Sequence, residues 1–186
     1  MSGIVGLFRG EKRMNDIGGK QHHSHSHSKP KGSAQNNSPW EVQVDVYLHS
    51  EKPHDYTIQS YLQSNPSNPE ELVFCNNGHN GFNVTFVLHD ETGKGYGFPT
   101  GANKDDAVWS EVGAGLCPAD PGAWDVFDKK SITVGGNGAT LKVHNPNPTP
   151  AQGQFSYTLN VTTTGGKPYL PLDPGGNNMN GSTGFN

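Results

Sequence analysis

The chain has 186 residues, of which 31% are hydrophobic and 16% charged, and it carries a formal net charge of -4. That length suits one domain with its own core. The hydrophobic share falls below the roughly 45–50% of an average globular chain, so part of the sequence is expected to lie outside that core. The small negative charge excludes a basic field able to neutralise a run of phosphates, which argues against nucleic acid as a partner.

The first nine residues contain Ile4, Val5, Leu7 and Phe8, broken by Gly6 and followed by Arg9, Glu11, Lys12 and Arg13. This apolar head is too short for a secretory core or a membrane span, so the expectation is a soluble, cytoplasmic protein with no membrane span. An apolar end on a tether is also a candidate strand donor, which marks Ile4, Val5, Leu7 and Phe8 as partner-contact residues. Residues 10–37 are polar and hold His22, His23, His25 and His27 among serines, with no apolar periodicity. Residues 1–37 therefore read as a flexible arm. Its imidazoles could wrap Ni²⁺, Cu²⁺ or Zn²⁺, which makes the four histidines candidate metal ligands, although low-complexity composition accounts for them equally well as an adventitious site.

From Trp40 the pattern changes. Trp40, Val42, Val44, Val46 and Leu48 alternate with Glu41, Gln43, Asp45, Tyr47 and His49, the period-two signature of a strand with one buried face. The same alternation returns in Phe82, Val84, Phe86 and Leu88, and in Phe155, Tyr157, Leu159 and Val161. Shorter strands are predicted over Tyr56–Gln63, Leu72–Cys75, Tyr96–Phe98, Ala107–Trp109, Trp124–Phe127, Ser131–Val134 and Leu141–Val143, between turn-forming clusters. Gly135-Gly136-Asn137-Gly138 reads as a hairpin turn, and Asn145-Pro146-Asn147-Pro148-Thr149-Pro150 as a stiff exposed loop. After Pro168-Tyr169-Leu170-Pro171-Leu172 the turn formers Asp173 to Gly181 predict that the last strand ends near Leu172. The expectation is an all-β, antiparallel, immunoglobulin-like β-sandwich of about seven to nine strands over residues 38–175, with a Gly/Asn-rich tail over 176–186.

Reactive constellations are sparse. Cys75 and Cys117 are expected as two reduced, buried thiols. The order His89, Cys117, His144, Met179 lacks the compact loop spacing of a blue-copper site. Loop carboxylates such as Asp90, Asp105, Asp106, Asp120 and Asp173 could converge on Ca²⁺. No segment has the spacing of a self-contained calcium loop, and Asp residues starting turns explain them without an ion. No Gly-x-Ser-x-Gly elbow and no phosphate loop followed by a helix is found, so no catalytic residue and no cofactor is assigned. Trp109 and Tyr169 lie in the loop-rich part of the domain, where an exposed aromatic ring could stack on a sugar. Trp124 is expected in the core.

The segments Phe82-Asn83-Val84-Thr85-Phe86, Gly95-Tyr96-Gly97-Phe98-Pro99, Tyr157-Thr158-Leu159-Asn160-Val161 and Leu172-Asp173-Pro174-Gly175-Gly176-Asn177, with Asn180-Gly181, make about half of the chain resemble small bacterial β-sandwich proteins of unsettled activity. The resemblance implies a compact β domain and a bacterial origin and supplies no catalytic residue. The function expected is a non-enzymatic binding or self-assembly module, contacting itself or another protein surface through its N-terminal arm. Alternatives are a carbohydrate or small-molecule binder using Trp109 and Tyr169, and a metal-binding protein using the His-rich arm.

Overall fold

A computed structural model of the chain describes residues 38–60, 62, 64–65, 68–76, 80–115, 117–148 and 153–180. They are mostly β and form two sheets. In chain order the strands are β1 (Trp40–Leu48), β2 (Tyr56–Ser60), β3 (Ser64–Asn65), β4 (Asn68–Asn76), β5 (Phe82–Asp90), β6 (Val108–Val112), β7 (Asp128–Gly135), β8 (Thr140–Asn145), β9 (Gly153–Val161), β10 (Leu170–Leu172) and β11 (Gly175–Asn180). The first sheet runs β2-β1-β5-β8-β7. The second runs β10-β9-β11-β4-β3, with β6 also paired to β9. No helix among the described residues is long and apolar enough to cross a membrane.

The period-two segments became strands because each buries one apolar row. Val42, Val44, Val46 and Leu48 of β1, Phe82, Val84, Phe86 and Leu88 of β5, and Phe155, Tyr157, Leu159 and Val161 of β9 all belong to one buried cluster. Aromatic rings join the sheets: Phe74 of β4 meets Phe82 edge-on at 5.1 Å, and Phe86 lies 6.0 Å from Tyr157. Phe127, on the connection into β7, packs edge-on against Phe86, Phe155 and Tyr157. Full burial of each such ring contributes about 1.5–3 kcal/mol, and favourable ring geometry adds to it.

Four expectations are corrected. The sheets are mixed, not purely antiparallel: β1 pairs in parallel with β5, Val44 opposite Phe86, and β11 pairs in parallel with β4. Alternation of side chains is identical in parallel and antiparallel ladders, so it carries no information on direction. Eleven strands are described where seven to nine were expected, some of them only two or three residues long. Tyr96–Phe98 and Trp124–Phe127 do not form strands; each supplies only an isolated bridge, Gly97 to Thr162 and Trp124 to Ser110. Finally, the chain does not stop pairing near Leu172, because β11 runs on through Asn180 between β4 and β9.

The strand β11 is built from weak β formers, and tertiary packing overrides their propensity. At Gly176 a Cβ would stand 2.2 Å from Cζ of Phe155, so the absent side chain makes room for a core ring. At Asn178 the side chain is fully buried, and it exchanges hydrogen bonds with Asn145 at the end of β8, Asn145 Nδ2 donating to Asn178 Oδ1 at 2.7 Å. The expected stiff loop after β8 is likewise not all exposed. Asn147 is buried, takes φ of 40°, and donates from Nδ2 to the Phe74 carbonyl at 3.2 Å.

Candidate functional site

The site begins with the outer face of β9. Ser156, Thr158 and Asn160 occupy the polar positions of this strand, yet all three are buried. The chain between β6 and β7 folds over them and supplies acceptors. Ser156 donates to the Gly113 carbonyl at 3.0 Å, and the Thr158 hydroxyl lies 2.7 Å from both the Pro118 carbonyl and Asp173 Oδ1. Asn160 Nδ2 donates to the Asp106 carbonyl at 2.7 Å. Trp109 of β6 stands opposite Thr158 in register, and Pro171 of β10 opposite Asn160, so these residues share the same face of the sheet.

Where the covering chain does not close, a cleft of about 630 Å³ remains. Its apolar walls are Trp109, Tyr169, Pro118, Pro168 and Pro171. Trp109 and Tyr169 meet edge-on, ring centroids 6.2 Å apart. The rim carries Asp120 and Lys167, which form an ion pair, together with Cys117 and Asp173. Trp109 is held in place by Gly122, where a Cβ would fall 2.0 Å from Cδ1 of the indole. Only a residue without a side chain can lie so flat on the ring.

Almost every polar group of the cleft has its partner. The Tyr169 hydroxyl donates to Asp106 Oδ2 at 2.8 Å, and burial, that bond and the charges of Asp106 and Asp120 push the phenol up to about 12. Asp120 raises the ammonium of Lys167 through their hydrogen bond. The charge of Asp173 raises the Cys117 thiol, with burial and a hydrogen bond to the same carboxylate adding to it. The exception is the indole N–H of Trp109. The residue is only 4% exposed, and its Nε1 has no hydrogen-bond partner among the described residues. A buried donor left without an acceptor costs about 1–3 kcal/mol.

Of the residues singled out from sequence, Trp109 and Tyr169 are thus brought together in one cleft. Ile4, Val5, Leu7, Phe8, His22, His23, His25 and His27 lie outside the described residues. Trp124 is only partly buried: Lys129 Nζ sits 3.7 Å above its ring and its Nε1 donates to the Asp105 carbonyl. The expectation of two buried thiols is corrected: Cys117 is exposed and Cys75 only half-buried. His49, His89 and His144 lie on the outer face of the first sheet. His89 sits 2.8 Å from Asp45 and stacks on Tyr47, His49 lies 2.6 Å from Glu91, and His144 meets Asn83. Among the described residues no three of His, Cys, Asp or Glu gather as a metal-holding group. Asp90 instead organises its own loop. Burial raises its carboxyl, but the Thr92 hydroxyl and the backbone N–H groups of Tyr96, Thr92 and Gly95 outweigh this and hold it below the usual range.

The outer row of β9 carries a signal for this site. The outer rows of β1 and β5 include charged residues and histidine, whereas the outer row of β9 is Ser156, Thr158 and Asn160, short and uncharged. Such residues suit a face that is covered and hydrogen-bonded rather than wet. No protein-family model matches the chain, and no curated protein matches it.

Proposed function

We propose that the protein is a non-enzymatic binding module, built on an immunoglobulin-like β-sandwich, whose site is the Trp109–Tyr169 cleft. The observation that carries this reading is the cleft of about 630 Å³ walled by Trp109, Tyr169 and three prolines, with the indole and phenol rings meeting edge-on. The aromatic and proline walls offer flat apolar surface to a ring, and their rigidity limits the entropy lost on binding. A catalytic role has less support. Cys117 lies beside a carboxylate that favours its protonated, unreactive form, and among the described residues no histidine lines the cleft to act as its base. Self-association through residues 1–37 concerns residues outside those described and stands apart from this proposal.

The test follows the Trp109 indole ¹H–¹⁵N resonance, assigned by substitution, while methyl glucoside, N-acetylpyrrolidine and benzamide are titrated in turn. At least one of these ring compounds is expected to move the resonance. The Ala119→Trp variant, which places a bulky ring at the exposed rim, is expected to abolish the shift. A resonance that none of them moves would overturn the proposal.

A further inference from the structure

We propose that Thr57 is an acyl-acceptor site, a hydroxyl set up by His49 and Glu91 to take an acyl group from a thioester. None of these three residues lines the Trp109–Tyr169 cleft, so the site stands independently of it. Three neighbouring strands place them in a row across the outer face of the first sheet. Thr57 of β2 stands opposite Tyr47 of β1, and His49, two residues on, projects from the same face within diagonal reach. The His49 backbone N–H donates to the Asp55 carbonyl at 3.1 Å, which holds that end of the β1–β2 hairpin. On the other side the parallel ladder pairs Leu48 with Asp90, and the Glu91 N–H donates to the Leu48 carbonyl at 3.0 Å, so Glu91 arrives beside His49.

The hydrogen bonds run through the imidazole in one order. Glu91 Oε2 lies 2.6 Å from Nδ1 of His49, and Nε2 lies 2.7 Å from the Thr57 hydroxyl. A carboxylate only accepts, so Nδ1 carries the proton of the neutral ring and the lone pair is left on Nε2, where it accepts from Thr57. This is the carboxylate–imidazole–hydroxyl order by which a base activates an alcohol for acyl transfer. The hydroxyl contact lies at the surface. Beside it is a hollow of about 430 Å³ whose lining includes His49, Glu91, Lys52 and Lys94, which gives the donor room at the imidazole. A threonine hydroxyl is secondary and hindered, which selects a donor with a good leaving group; thiols ionise at about pH 8.5, so a thiolate leaves readily. In the step, Thr57 Oγ1 bonds to the acyl carbon and the C–S bond breaks. The hydroxyl proton passes to Nε2 and on to the departing sulfur, giving O-acyl-threonine and free thiol with no change of oxidation state.

The test incubates the full chain at neutral pH with the acetyl thioester of N-acetylcysteamine and follows acetylation residue by residue by peptide mass spectrometry. Thr85 is the internal reference, since it lies on the same outer face, opposite Gln43 and Lys142 instead of a histidine. Thr57 is expected to be acetylated at least about tenfold faster than Thr85, as an ester that hydroxylamine removes. That comparison is made within one folded chain and needs no variant. His49→Phe is expected to slow Thr57 about a hundredfold, and Glu91→Gln about tenfold with partial recovery in Glu91→Asp. Long-range ¹H–¹⁵N spectra are expected to show the His49 proton on Nδ1 in the parent chain and a move toward Nε2 in Glu91→Gln, a change that a merely structural role for Glu91 would not produce. Acetylation of Thr57 no faster than that of Thr85, or acetylation confined to the lysines and cysteines, would overturn the proposal. So would a Thr57 rate that His49→Phe leaves unchanged, and a rate indifferent to Glu91→Gln would overturn its three-residue form.

Discussion

At the scale of single residues the cleft is defined by two titrating groups whose surroundings favour their neutral forms. Tyr169 is raised to about 12 by burial first, and then by its hydrogen bond to Asp106. An unfolded tyrosine ionises near pH 10. The folded protein therefore holds a proton that the unfolded chain gives up above that pH, and the stability associated with Tyr169 is complete below about pH 10 and is lost between about 10 and about 12. Chemical denaturation across this range should show a fall in midpoint that Tyr169→Phe reduces; an unchanged slope in the variant would contradict the assignment. Cys117 is raised chiefly by the charge of Asp173. Iodoacetamide at pH 8 should label it faster in Asp173→Asn than in the parent chain, because removing the charge returns the thiol toward its ordinary value. Equal rates would show that the carboxylate does not control it.

At the scale of elements, the legible strands were those whose composition matched their environment. β1, β5 and β9 announce themselves because each buries one apolar row, whereas β11 is invisible, since Gly176 and Asn178 are chosen by neighbours and not by strand propensity. The parallel pairing of β1 with β5 was equally hidden, because it depends on the route of the intervening chain. Half of the cleft could be read in the same way. Aromaticity picked out Trp109 and Tyr169, while Pro118 and Asn160 joined them only because the chain between β6 and β7 lies over the outer face of β9. The buried Asn145–Asn178 pair, which ties β8 of the first sheet to β11 of the second, is a prediction at this level. Asn178→Leu removes the acceptor 2.7 Å from Asn145 Nδ2 and leaves that amide buried without it, so the cost should be about 1–3 kcal/mol in urea unfolding. A loss below about 0.5 kcal/mol, the range of an ordinary surface change, would show that the pair is not structural.

At the scale of the whole molecule, two sheets share one aromatic core, and the outer face of the second sheet is roofed by loops that leave a cleft beside β6, β9 and β10. The two faces of that sheet therefore do different work. The inner face, with Phe155, Tyr157 and Leu159, stabilises the fold, and the outer face, with Thr158 and Asn160, holds the covering chain through hydrogen bonds. This division places Trp109 on strand β6 and not on a loop tip, which suits the proposed binding site. The most direct measurement is a crystal structure of the full chain soaked in turn with methyl glucoside, N-acetylpyrrolidine and benzamide. At least one of these rings seated in the cleft against Trp109 and Tyr169 is the predicted result. Crystals in which none of them enters the cleft would contradict the account.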